Sequence, residues 1–321
     1  IRSGIAAGAV INTVAASCVL ARLYAVQGLL HKSYDTYQMA AQSIPEASGQ
    51  HLGARALVEI GIADLLCEWN DLDAALAHMK QGLAWLPFWG KADDFALAYV
   101  TLARIHLAQA NWGDAREAVG KAIQAIQTSA VFSEARHAVE VAQVKLWLAQ
   151  DDLQAASRWA ASQEERLSSD EVFGFENELA HIARTRVLIA QKKPDQAVAL
   201  LSHLEETARS AGRMGRVIEI LVLQALALRE MGDSKQALLA LSECLAVAEP
   251  EGYVRVLLDE GRPMRMLLAQ WLARAGAGSL KDYAGCLLSH LSESHMVTAA
   301  QEKASPAGDL VEPLSQREME V

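Results

Sequence analysis

The chain has 321 residues, 52% of them hydrophobic and only 6% aromatic, a composition suited to a large core of small aliphatic side chains packed as helices. Its formal net charge of -10 and pI near 5.4 argue against this segment itself gripping a nucleic-acid backbone, because that work needs a basic face to displace counterions. Cys18, Cys67, Cys244 and Cys286 lie far apart without C-x-x-C spacing, which excludes a readable zinc knuckle or disulfide framework and predicts buried free thiols.

The first element, from Gly4 to Ala21, is uncharged and long enough to raise the question of a membrane span. Asn12, Thr13 and Ser17 interrupt it, and no cleavage pattern accompanies it, so a soluble helix is expected and no membrane association. The chain opens on Ile1 rather than Met and reads as a piece of a longer protein.

From here a repeat governs the sequence. Anchored at Tyr37, Ala75, Ala115, Ala156, Ala197 and Ala237, its spacings are 38, 40, 41, 41 and 40 residues. Four residues earlier stand Ser33, Asp71, Asn111, Asp152, Lys193 and Asp233, mostly side chains that cap helix N-termini; Lys193 is followed by Pro194, which suits the first helical position. Twelve residues before the anchor the column reads Ala25, Ala63, Ala103, Val144, Thr185 and Ala225, small enough for two helices to approach closely. Each unit is therefore helix, short turn, helix. Such a unit cannot bury its apolar face alone, so neighbours must stack. The predicted fold is all-α, a TPR-like helical-hairpin α-solenoid with repeats of about 40 residues. Six hairpins are clear over 1–291, and a degenerate seventh would run from Gly261 to about Leu291. Long inter-unit loops are expected at Pro87–Asp93 and Ser168–Gly174.

Within the units one column carries charge. Eleven residues before the anchor it reads Val26, Asp64, Arg104, Lys145, Arg186 and Leu226, placing three cations on corresponding helices of consecutive units. They would form either a ridge that holds an anionic ligand or acidic helix, or a salt-bridge ladder with Glu59, Glu140 or Asp64. Neighbouring columns add Tyr99 and His181, and His106 and Trp147, as stacking surfaces for a sugar or aromatic inducer or as core side chains. Trp85 and Trp89 flank Pro87 and would staple neighbouring units or expose an interaction edge.

After the sixth unit comes AEPEGYVRVLLDEG, Ala248 to Gly261. The 292–309 stretch is polar and reads as an interdomain linker, and the chain ends on LVEPLSQREMEV, Leu310 to Val321. In that last run Ser315 would cap a helix, with Glu318 completing a capping box. The first motif resembles the segment that ends the repeat region of MalT-like regulators, A-x-x-x-G-aromatic-x-R-x-F-x-D-x-G. Ala248, Gly252, Tyr253, Arg255, Asp259 and Gly261 match, with Leu257 where Phe is common. The second resembles the opening of LuxR-type DNA-binding domains, L-[ST]-x-R-E-x-E-V, matched by Leu314, Ser315, Arg317, Glu318, Glu320 and Val321.

The resemblance implies an ATPase module before this region and a helix-turn-helix after it, with the repeats receiving a small-molecule inducer or regulatory protein in the cytoplasm. No G-x-x-x-x-G-K-[ST] phosphate loop occurs in these residues, so ATP is implied only for the missing module and DNA contact only for the missing C-terminal domain. No G-x-S-x-G elbow or H-E-x-x-H motif is present either, so no catalysis and no metal are expected. The expected role is effector or partner sensing; the alternative is a constitutive protein-binding scaffold without a small-molecule pocket. Inducer, promoter, direction of regulation and oligomeric state are not written in the sequence.

Overall fold

The computed structural model describes residues 2–45, 51–88, 90–166 and 175–304, and its regular elements are all helices among these residues. Six antiparallel hairpins follow one another: α1 Arg2–Val26 with α2 Leu30–Gln42, α3 Leu52–Glu68 with α4 Leu72–Trp85, and α5 Ala92–Ala108 with α6 Trp112–Thr128. Next come α7 Ser133–Ala149 with α8 Leu153–Arg166, α9 Phe175–Ala190 with α10 Pro194–Ser210, and α11 Met214–Glu230 with α12 Ser234–Ala248. A short α13, Arg255–Leu258, leads to α14, Gly261–Leu272, which packs on α15, Ser279–Ala304. Helix α15 takes in part of the 292–309 stretch expected as a linker, while Ser168–Gly174, Trp89 and Leu310–Val321 lie outside the described residues. Leu86–Phe88 form a single 3-10 turn between the second and third units.

Five of the six hairpin turns fall where the repeat places them. Each is made by one residue in the left-handed region just before the cap: Asn70 (φ 65), Ala110 (57), Asp151 (56), Lys192 (60) and Gly232 (84). That conformation lets the next N–H reach back five residues, as from Asp71 to Leu66 O at 2.9 Å and from Asp233 to Leu228 O at 3.0 Å, which closes the first helix of the pair. The second helix is opened by caps: Asp71, Asp152 and Asp233 accept from the N–H three residues on, at 3.3, 3.0 and 3.0 Å. Asn111 stands at the cap position but its side chain donates to Gln109 instead, and Pro194 holds the first position of α10. Ala75, Ala115, Ala156, Ala197 and Ala237 are all 0% exposed, as are Ala63, Ala103, Val144, Thr185 and Ala225 twelve residues before them, so the small columns are where paired helices touch.

The first unit corrects the expected register. Its turn is at Gly28 (φ 84) with Leu29 at the cap, so Ser33 is not a cap. Ser33 is the unit's anchor: it is 0% exposed and donates to the carbonyl of Ala21, also 0% exposed, at 2.8 Å. The first spacing is then 42 residues, from Ser33 to Ala75, and the small column starts at Ala21 rather than Ala25. Tyr37 instead serves the contact between units, its ring filling the space that a Cβ on Gly61 of α3 would need.

The hairpins come round on themselves. Helix α1 packs against α11 and α3 against α13, and one core cluster joins Val14, Cys18 and Ala21 of α1 to Ile218 and Leu221 of α11 and to Leu257 and Leu267 beyond. Residues 220–227 of α11 are all buried, which accounts for a helix apolar on every side. Closure depends on two glycines at the seam. A Cβ on Gly215 would lie 2.7 Å from the carbonyl oxygen of Ala25, and one on Gly28 would lie 3.0 Å from Met214 Cβ. Cys18, Cys67 and Cys244 are buried free thiols as expected, whereas Cys286 is exposed on α15. No helix of the described residues is long and apolar enough to cross a membrane.

Candidate functional site

The segment after α12 closes the ring. Glu249–Glu251 form a 3-10 turn and Gly252, at φ 68, turns the chain beside the Trp69 indole into the centre of the superhelix. There it meets the end of α3 through main-chain and side-chain bonds. Trp69 Nε1 donates to Glu251 O at 3.0 Å, Val254 N to Glu68 O at 3.2 Å, and Val256 N to Glu68 Oε1 at 2.9 Å. Arg255 Nη1 donates to Asn70 Oδ1 at 3.2 Å, and the main-chain N–H of His31 donates to Glu251 Oε2 at 3.0 Å. His31 stacks on Trp69 with ring centres 5.3 Å apart, and the Tyr34 ring meets Trp69 edge-on. The Tyr253 ring is buried, and its carbonyl accepts from the Tyr283 hydroxyl of α15. Of the motif residues, Gly252, Tyr253, Arg255 and Asp259 thus act at the closure, while Gly261 (φ 58) sets the turn into α14.

This clasp carries acids into the path of the cationic column. Arg104 pairs with Asp64 at 2.7 Å and Glu68 at 3.0 Å, both on the preceding unit. Arg186 pairs with Glu219 of α11 and Glu260 of the clasp, each at 2.9 Å. Among the described residues Lys145, between them in the column, has Asp259 Oδ2 at 4.0 Å as its ion-pair partner, and the other oxygen of Asp259 is held by Arg255 Nε at 2.9 Å. Arg216 joins Glu219 at 3.3 Å. The column is therefore a paired network: Asp64 takes part as anticipated, Glu68 and Glu219 come from neighbouring units, and the clasp supplies Asp259 and Glu260. Arg104, Lys145 and Asp259 side chains keep 24%, 22% and 22% of their surface exposed, which for groups ringed by helices means a lumen that admits water.

The network sets opposing protonation tendencies. Burial pushes the Glu68 carboxyl up to about 7, with Asp259 and Asp64 adding to the rise and Arg104 and the Val256 N–H resisting it. Burial would raise Glu219 too, yet Arg186, Lys145, Arg216 and Arg104 outweigh it and hold that carboxyl at about 2. Lys145 is lowered, first by burial and then by Arg186, against the pull of Asp259 and Glu219. In all, Arg104, Lys145, Arg186, Arg216 and Arg255 face Asp64, Glu68, Glu219, Asp259 and Glu260, a balance of charge when every carboxyl is ionised. Beyond them Arg213 and Glu178 add one charge of each sign 2.9 Å apart, and Glu178 also reaches Arg216 at 3.8 Å.

The expected aromatic and histidine candidates sit elsewhere. Tyr99 lies against Lys121 of α6 and His106 is 4.0 Å from Asp114 of the same helix. Trp147 packs against the cluster of Val144, Ala156 and Val187, and His181 is only 1% exposed. Tyr99, His106 and Trp147 are thus partly buried and His181 is buried, and none of the four has a contact with the cationic column among those described. Glu68, Trp69, Glu219 and Glu260 were missed by the sequence reading. A glutamate ending the apolar run of α3 and another inside that of α11 were the available signals, since a buried acid requires a partner. A separate open cleft of about 380 Å³ lies between α12 and α14, lined by Leu238, Leu239, Trp271, Lys235 and Arg274.

Comparison with known proteins agrees with this architecture. A family described as the MalT-like TPR region matches residues 1–274. Among curated proteins, the HTH-type transcriptional regulator MalT of Klebsiella pneumoniae subsp. pneumoniae is 24% identical over 247 residues, which is 76% of this chain and 27% of that protein. The chain thus spans about a quarter of the length of the relative it matches. With its paired columns, ring and match over residues 1–274, the chain belongs to the family of MalT-like TPR regions.

Proposed function

We propose that this region is the signal-receiving domain of a LuxR-type, ATP-dependent transcription regulator, acting in the cytoplasm by binding and not by catalysis. The supporting observation is the clasp: a single segment closes the ring and supplies Asp259 and Glu260 to the lumen, so lumen and closure share side chains. A solute that enters the lumen and pairs differently with these groups must bind the closed and opened rings with different affinity. Only such a difference shifts an equilibrium between resting and active states. The signal then passes through α13–α15 to the ATPase and DNA-binding modules that the resemblance implies, where ATP and DNA are engaged.

The test is transcription from the promoter that the full-length regulator controls. Trp69→Ala and Glu68→Ala loosen the clasp, and each is expected to change basal transcription and reduce its dependence on the inducing signal. Folded clasp variants with unaltered basal and induced transcription would refute the reading and leave a static scaffold.

A further inference from the structure

Three cations of the repeat column line the lumen on consecutive units, and they are not equivalent. Arg104 and Arg186 each hold two carboxylates at 2.7–3.0 Å. Lys145, between them, has three N–H donors and, among the described residues, no hydrogen bond; its nearest carboxylate oxygen is 4.0 Å away. Asp259 cannot close that gap freely, because Arg255 of the same helical turn holds its other oxygen.

We propose that Lys145 is the anchor of an unassigned binding site in the lumen, which takes the carboxylate of a small monoanionic organic solute; the proposal rests on the sensing role above and names the ligand class. Space beside the ammonium comes from the sequence. One helical turn on from Arg104, Lys145 and Arg186 stand Ala108, Ala149 and Ala190, and Ala149 is exposed. Small side chains at these corresponding positions leave room for a short hydrocarbon body attached to the carboxylate. The charge balance also fits. With every carboxyl ionised the five cations and five acids cancel, and protonation of Glu68, whose carboxyl is raised by burial, leaves up to one cation in excess. One negative charge restores the balance, whereas a dianion would overshoot it. Occupancy replaces the distant Asp259 contact of Lys145 and so bears on the clasp that holds Asp259.

Thermal unfolding of the 321-residue chain, followed by tryptophan fluorescence, tests this with acetate, lactate and butyrate as sodium salts against sodium chloride at equal ionic strength. A bound carboxylate raises the midpoint in proportion to the logarithm of its concentration. The expected result is a rise with at least one carboxylate, an affinity at least tenfold weaker in Lys145→Met, and partial recovery in Lys145→Arg. Lys145→Met removes a charge that makes no hydrogen bond here and keeps the aliphatic stem, so it is expected to fold; Arg274→Met in the α12–α14 cleft is the control. The proposal is overturned if no carboxylate acts beyond chloride, or if the rise survives in Lys145→Met. Glucose and maltose run in parallel separate the two readings. A rise with a neutral sugar and none with carboxylates overturns the ligand class while the sensing role stands.

Discussion

Closure of the ring rests on the absence of one side chain. In Gly215→Ala, a methyl group added at the start of α11 would lie 2.7 Å from Ala25 O, 3.2 Å from Val26 O and 3.1 Å from the Tyr253 hydroxyl. Two of the three neighbours are main-chain atoms at the end of α1, which cannot swing aside as a side chain does. Inserting a methyl into such a contact costs about 1–3 kcal/mol, while replacing glycine in a helix returns at most about 0.5–1 kcal/mol. The net expectation is a loss of about 1–2 kcal/mol, concentrated at the α1–α11 seam. Gly120→Ala in α6 isolates the helical part, since nothing lies within 4 Å of that position. It should gain about 0.5–1 kcal/mol. Urea unfolding of the two variants should therefore shift in opposite directions. A Gly215→Ala chain as stable as Gly120→Ala would refute the close seam and the closed ring with it.

Other consequences follow from the same geometry. Ala110 pays for a left-handed turn without the freedom of glycine, so Ala110→Gly should raise the unfolding midpoint, with a gain of roughly 0.5–1 kcal/mol after the added entropy of the unfolded chain is subtracted. Arg186→Met leaves Glu260 without its cation and Glu219 with Arg216 alone, and should cost about 3 kcal/mol in urea titrations, whereas Lys145→Met should be nearly neutral. Glu68 and Glu219 give opposite pH dependences. The folded chain raises Glu68 above its unfolded value, so that stabilisation is present below about pH 4.5 and is lost as pH rises toward 7. Glu219 is depressed, so its contribution is present above about pH 4.5 and disappears as pH falls toward 2. Relative to Glu68→Gln, the native chain should lose on the order of 2–3 kcal/mol between pH 4.5 and 7.5, measured by denaturation at each pH. A constant difference across that range would show that Glu68 titrates normally.

What could be read from the sequence was the part set by neighbours along the chain. The alanine columns and the caps Asp71, Asp152 and Asp233 encode hairpin geometry locally, and five of the six turns followed. The first unit slipped by four residues because Ser33 and Tyr37 both fit the repeat, and Gly28 four residues ahead of Lys32 was the better marker of the turn. The cations Arg104, Lys145 and Arg186 were found as a column, since corresponding positions of a solenoid face one way. Their partners were not. Glu219 lies on the next unit at a position the column did not mark, while Asp259 and Glu260 arrive from beyond the sixth unit, and only the accumulated rotation of the hairpins brings them to the same lumen. The motif from Gly252 to Asp259 was legible as a resemblance, but its physical work, closing the ring on Glu68, Trp69 and Asn70, depends on that rotation too.

The closed ring itself is tested most directly by amide hydrogen exchange at Val254 and Val256, whose N–H groups donate to the main chain and side chain of Glu68, 186 and 188 residues away by subtraction. In a closed ring both exchange as slowly as amides inside α11, and Gly215→Ala speeds both together without affecting Ala118 in α6. Exchange of Val254 and Val256 at the rate of the exposed turn at Gly276 would contradict it, and the superhelix would then be open.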